Sequence, residues 1–255
     1  MKKKHSKEID KKSLILSILR LMFFILFLVS TIYIARWIID KNKNKELEQK
    51  ISETVVVETI ENKEETENKY KIDFEKLKNI NEDTIAWLKV NGTNVEFPVV
   101  QGKNNDYYLK HNLNKEYNIA GWIFADYRNR LDGTDKNVII YGHNMRDDSM
   151  FGSLRNILKE EWHNNKENYI INFVTESKAQ KYEVFSIYEI KNEEYYLDTE
   201  FKNNEFINFA ETLKDRSIKD FGIELKEEDN ILTLSTCANN NKYRIVLHAR
   251  KTSDN

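Results

Sequence analysis

The sequence predicts a mainly β domain, a barrel or sandwich with helices at its periphery, preceded by a single transmembrane helix. Three observations carry this reading. The stretch Leu14–Ile39 is almost wholly apolar, with Arg20 and Arg36 as its only charges. From Ile72 onward short apolar runs rich in aromatic and β-branched residues alternate with turn signals. The helical periods among those runs are few and short. Composition narrows the function. The 255 residues carry a net charge of -2, too little positive charge to coat nucleic acid. Mean hydropathy is -0.69, yet 12% of residues are aromatic, more than a disordered chain carries. With Gly 7 and Pro 1 in the whole chain, no Gly-rich phosphate loop can be written. One cysteine, Cys237, excludes an intramolecular disulfide and a cysteine cluster for zinc.

The elements follow in order. Residues 1–13 form a basic tail with Lys2, Lys3, Lys4, Lys7, Lys11 and Lys12. Residues 14–39 exceed the roughly 20 apolar residues a bilayer span needs. Their bulky Arg36-Trp37-Ile38-Ile39 end is unlike a signal-peptide cleavage site, so the span reads as an uncleaved anchor. The lysine-rich flank keeps the N-terminus cytoplasmic and puts the rest of the chain outside the cell membrane, single-pass. Residues 40–71, rich in Lys, Glu and Asn, read as a charged helical stalk or spacer. The folded domain is 72–255. Within it Asp73 is the N-cap of a short helix, FEKLKNI. Strands at Thr84–Val90 and Val95–Val100 flank an Asn91-Gly92 turn. A helical turn is expected at Asp106–His111, and short strands at Ala120–Phe124 and Asn137–Tyr141. Apolar positions Phe151, Leu154, Ile157, Leu158 and Trp162 predict a helix over Met150–Trp162. Strands at Tyr169–Val174 and Lys181–Ile190 come next, then an amphipathic helix marked by Phe206, Phe209, Ala210 and Leu213. Strands Ile231–Thr236 and Tyr243–Arg250 close the domain.

Three residues stand out chemically. Cys237 ends the apolar strand ILTLST and opens a polar run, a place where a rigid element can aim a reactive group. It reads equally as a small buried residue. A free thiol with pKa near 8.5 is only about 3% thiolate at pH 7, so a nucleophilic role needs a neighbouring base or cation. Of five histidines, His5 precedes the anchor, His111 and His163 sit in polar helix-end settings, and His248 lies within the last strand. His143 follows the strand VIIYG directly, where a histidine can meet another strand end. Arg244 opens YRIVLHAR, and a hairpin between the last two strands returns it toward Cys237. Strand alternation puts Arg244, Val246 and His248 on one face. A guanidinium there suits an oxyanion; a rim arginine paired with a carboxylate is the other reading.

Together, YGHNM at 141–145, TLSTC at 233–237 and YRIVLHAR at 243–250 resemble the sortases, membrane-anchored cysteine transpeptidases of Gram-positive bacteria. MFGSL after YGHNM, the helix at Phe206–Leu213, and the N-terminal helix before FPVVQ resemble class B. The resemblance covers 72–255 and implies a closed eight-stranded β-barrel. It implies His143, Cys237 and Arg244 as the catalytic trio, with no metal and no cofactor. It also implies as partners secreted proteins with a C-terminal Asn-Pro-x-Thr-like sorting signal, a peptidoglycan precursor or peptide amine as acceptor, and the bacterial membrane. Ser235, on the strand face of Cys237, and Tyr196, in the NEEYYLD segment, are candidate substrate contacts. One departure is the stretch from Cys237 to Arg244, short for class B, with Ala238 after the cysteine. Two other functions fit the residues: a secreted cysteine peptidase with water as acceptor, and a non-enzymatic surface-binding module on a stalk.

Overall fold

The computed structural model describes residues 11–61, 66–191, 193–202, 204–238 and 242–254. The lysine-rich tail before Lys11 lies outside them. The first element is a helix, α1 (Lys11–Ser52), which takes in the apolar stretch. By length and composition it is able to cross a membrane, with a mean hydropathy of 2.5 over its most apolar window.

The chain divides into two compact units, one ending at Glu46 and one beginning at Leu47. The second takes in residues 47–71 together with the barrel that follows. After α1 the strands β1 (Val55–Glu61) and β2 (Thr66–Ile72) pair antiparallel, from Val55 opposite Ile72 to Glu61 opposite Thr66. Leu47 and Ile51, one helical turn apart, are buried in the domain's main apolar cluster, and Val55, Tyr70 and Ile72 pack against it. The high charge of this stretch masks those few anchoring positions in the sequence.

The helix α2 (Phe74–Ile80) begins where expected, with the Asp73 side chain accepting a bond from the Lys76 amide. It buries Phe74 and Leu77. The remaining strands are β3 (Thr84–Val90), β4 (Glu96–Val100), β5 (Phe124–Ala125), β6 (Asn137–Gly142), β7 (Ile170–Thr175), β8 (Ala179–Lys191), β9 (Ile231–Ala238) and β10 (Tyr243–Asp254). They close into a barrel in the order β10-β8-β7-β3-β4-β5-β6-β9. Its pairs are antiparallel except β4 with β5 and β6 with β9. Alternate residues fill the barrel, among them Leu88, Phe97, Ala125, Ile140, Phe173, Leu234 and Leu247.

A second apolar cluster covers part of the outside. Phe185, Tyr188, Ile190, Ile231 and Val246 of the strands pack with Phe206, Ala210 and Leu213 of a helix, α4 (Glu205–Asp215), and with Tyr196. The expected helix over Met150–Trp162 is instead a 3-10 segment, Gly152–Leu158, followed by a short α3 (Glu160–His163). Phe151, Leu154 and Ile157 recur every three residues, which suits 3.0 residues per turn better than 3.6. Lys159 is extended and resets the phase before Trp162. The expected strand at Ala120–Phe124 is reduced to Phe124–Ala125, because Gly121 takes a positive φ of 56° and breaks extension.

Candidate active site

The site is assembled by register. In the parallel pair β6–β9, Gly142 lies opposite Thr236, so His143 follows directly beside the Cys237 position. In the antiparallel pair β9–β10, Cys237 lies opposite Arg244. Neighbouring strands are about 4.8 Å apart, so the three backbone positions form one row roughly 10 Å wide. Parity gives the face. Leu232 and Leu234 of β9 and Ile245 and Leu247 of β10 belong to the barrel cluster, whereas Ile231 and Val246 belong to the outer one. Positions 237 and 244 therefore share the outer face, as the alternation Arg244, Val246, His248 predicts. Residues 239–241, in the short stretch between Cys237 and Arg244, lie outside the described residues.

The motif around His143 has a physical basis. A Cβ on Gly142 would sit 2.5 Å from Ile123 Cδ1 and 2.7 Å from the Phe151 ring, so the strand passes close only as glycine. The His143 carbonyl accepts bonds from the amides of Met145 and Phe151. Arg155 ties the loop, donating to Asp148 Oδ1 at 2.5 Å and to the Met145 carbonyl at 3.0 Å. Gly152 lets the Met145 carbonyl approach to 2.3 Å of where a Cβ would stand. These contacts account for YGHNM followed by MFGSL. The ring of half-buried His143 bonds through Nε2 to the Leu109 carbonyl at 2.8 Å. Arg244 is half-buried.

The structure brings Ser235 and Tyr196 together. Both are buried, and their hydroxyls bond each other at 2.9 Å. The bond joins β9 to the 3-10 turn Tyr195–Leu197.

Residues the sequence did not single out hold that turn against the barrel. Asn137 Nδ2 donates to the carbonyls of Tyr196 (3.3 Å) and Asp198 (2.9 Å). Arg128 donates to the Leu197 carbonyl at 2.9 Å and pairs with the fully buried carboxylate of Asp126 at 2.8 Å. Asp126 also accepts from the Tyr141 hydroxyl and from Asn105. Burial alone would raise the Asp126 pKa. The bonds from the Arg128 side chain and amide and from Tyr141 outweigh it and hold the group below its ordinary value. Burial, then the nearby Asp126 charge, push the Tyr141 hydroxyl far above its usual value. The Asp126-x-Arg128 spacing and the position of Asn137 at a strand start were visible, but isolated polar residues give no sequence signal for partners so distant along the chain. Among the described residues no group of three or more His, Cys, Asp or Glu is arranged to hold a metal ion.

The eight-stranded barrel thus brings the histidine, cysteine and arginine positions to adjoining strand ends. The chain belongs to the sortase family, whose domain model, described as "Sortase domain", matches residues 88–252. Within it the resemblance is to class B. The chain is 38% identical over 183 residues to sortase B of Listeria monocytogenes, covering 68% of this chain and 72% of that protein. Against sortase B of Staphylococcus aureus the identity is 35% over 165 residues, 64% and 67% of the two chains. Among solved structures, sortase B of Clostridium perfringens matches with a TM-score of 0.66 and 39% identity over 71% of this chain and 100% of that one. Sortase B of Bacillus anthracis in complex with AAEK1 gives 0.72 and 32%, covering 85% and 99%. A Staphylococcus aureus sortase B-substrate complex gives 0.65 and 34%, covering 71% and 84%. The chain is thus a class B sortase, a cysteine transpeptidase of the cell wall.

Proposed function

We propose that this chain, held in the membrane by residues 14–39 with its N-terminus cytoplasmic, joins secreted proteins to the cell wall through Cys237, His143 and Arg244. The observation that supports the reading is the register: Gly142 opposite Thr236 and Cys237 opposite Arg244 bring the three positions to adjoining strand ends. Residues 1–13 form the cytoplasmic tail, 40–71 lead to the domain, and 72–255 supply the extracellular catalytic barrel.

The chemistry follows from the side chains. The Cys237 thiolate attacks the threonine carbonyl of an Asn-Pro-x-Thr-like sorting motif, forming a C–S bond and an oxyanion that Arg244 steadies. The C–N bond then breaks, and the imidazolium of His143 gives its proton to the leaving amine. In the second half His143 takes a proton from an incoming peptidoglycan amine. That amine displaces the sulfur and leaves the protein on the wall by a new amide bond. Ser235 and Tyr196 support the face behind this row.

The test is an assay of the full chain in detergent with a sorting-motif peptide, with and without an added oligoglycine amine, products read by mass spectrometry. Amine-dependent ligation product, lost in Cys237→Ala and nearly lost in His143→Ala, is expected. Cleavage by water alone, unaffected by amine, would identify a peptidase. Absence of any cysteine-dependent product would leave a surface-binding module.

A further inference from the structure

We infer that the main-chain carbonyl of Leu109 is the orienting partner of His143, so that Nδ1 is the ring nitrogen that exchanges protons during transfer. The inference rests on the reading of His143 as the acid–base residue, and adds which atom acts and what holds it.

A carbonyl oxygen accepts and cannot donate. The 2.8 Å contact between His143 Nε2 and the Leu109 carbonyl therefore places a proton on Nε2. In the neutral ring the other nitrogen, Nδ1, is then the acceptor. A histidine that serves a nucleophile needs a third group to fix its ring and tautomer. A carboxylate usually does this. Here the ring's hydrogen bond, among the described residues, runs to a main-chain carbonyl. A carbonyl fixes the ring by its dipole without adding a second negative charge near the thiolate.

The carbonyl is itself held from two sides. Leu109 ends the 3-10 turn Tyr107–Leu109. The middle residue, Tyr108, is fully buried; its hydroxyl donates to Asp83 Oδ2 at 2.6 Å and accepts from Asn81 Nδ2 at 2.9 Å. The Tyr108 carbonyl accepts from the Trp122 amide at 2.9 Å. On the other side stands Gly121, with φ of 56°. A Cβ there would lie 2.4 Å from the Tyr108 oxygen and 2.8 Å from the Leu109 oxygen, the same oxygen that meets His143. Gly121 is thus the space that lets the carbonyl reach the ring. Tyr108 and Gly121 are positioning residues that act through Leu109.

In the proton ledger, Nδ1 takes the thiol proton, giving thiolate and imidazolium. When the C–N bond breaks, the same Nδ1–H passes to the leaving nitrogen, and Nε2–H stays on the Leu109 carbonyl throughout.

The test uses the full chain in detergent, labelled with 15N-histidine and carrying Cys237→Ala for spectroscopy, with His143→Gln to assign the ring signals. At a pH where the ring is neutral, the native background should show His143 as the Nε2–H form. In the active chain, Gly121→Ala should lower kcat on the order of 10- to 100-fold, since small misplacements of a catalytic group are costly. KM should change less than about 2-fold. The ring should become a mixture of tautomers. Tyr108→Phe, which keeps the buried ring and removes two bonds, should move kcat and the tautomer ratio the same way by a smaller factor. If Gly121→Ala does not fold, Tyr108→Phe and the native tautomer decide. An Nδ1–H form in the native background, or native kcat and tautomer in every folded variant, overturns the inference. A normal rate in His143→Ala would instead overturn the catalytic reading beneath it.

Discussion

Lowering the pH should destabilise this domain through one histidine that the proposed chemistry does not use. His248 in β10 is fully buried, with the rings of Phe185, Tyr188 and Tyr196 around it. Its Nε2 accepts from the Tyr188 hydroxyl at 2.8 Å, and that oxygen accepts from Tyr195 at 3.0 Å. Its Nδ1–H donates to Thr233 Oγ1 at 2.9 Å, which in turn donates to Asn137 Oδ1 at 2.6 Å. Each proton in this chain has a place when the ring is neutral. A second ring proton would meet the Tyr188 hydroxyl as a competing donor. Burial pushes the His248 pKa down from 6.5 to about 3. The unfolded chain therefore binds a proton that the folded chain refuses between these two values. Stability is full above about pH 6.5 and falls as pH drops through that window, the unfolded state being the one that holds more protons. At about pH 5 the loss from this residue alone is about 2 kcal/mol. The measurement is urea unfolding of the full chain in detergent, followed by tryptophan fluorescence, at about pH 7 and pH 5. The same pair of curves for His248→Gln isolates the residue, because the other titrating groups are common to both. The native chain should lose about 2 kcal/mol more than the variant over this range. Equal losses would refute the argument, and so would a His248 ring signal that titrates near pH 6 in the folded chain.

Arg244→Lys separates catalysis from folding. If the guanidinium steadies the oxyanion, transpeptidation should slow by ~100- to 1,000-fold with an unchanged melting temperature. A normal rate removes it from the mechanism, and a slow rate with a large melting shift makes it structural. Asp126→Asn takes the buried charge partner from Arg128 and should cost roughly 2–4 kcal/mol of stability at neutral pH, read from denaturant midpoints. A cost below about 0.5 kcal/mol would show that solvent replaces the carboxylate. Protease added to intact cells stripped of their wall should cut the chain after Asp40; full protection until lysis would reverse the proposed topology.

The barrel was legible where burial imposes a period of two on the sequence. Strands β3, β6, β7, β8, β9 and β10 fall within a few residues of their expected bounds, and Asp73 caps α2 because an N-cap is a local interaction. The short motifs around His143, Cys237 and Arg244 named the family for the same reason: each lies at a strand end where spacing along the chain carries the information. Tertiary structure alone decided the rest. The packing of the segment before Ile72 rests on Leu47, Ile51 and Tyr70, which look like scattered apolar residues in a charged stretch until the apolar cluster gives them a surface. Helix type over 152–163 was set by packing of Phe151, Leu154 and Ile157, not by propensity. Alternation put Ser235 on the face of Cys237, but only the fold showed that the 3-10 turn carrying Tyr196 covers it there, because alternation fixes the face of a strand and not which segment lies over it. The bond between His143 and Leu109 joins residues 34 positions apart through a backbone atom, and every residue has that atom, so no side-chain pattern could announce it. Sequence by itself determined the family and the strand ends at which the candidate residues His143, Cys237 and Arg244 stand; closure of the barrel determined which atoms meet, since register and coverage depend on contacts between segments far apart in the chain.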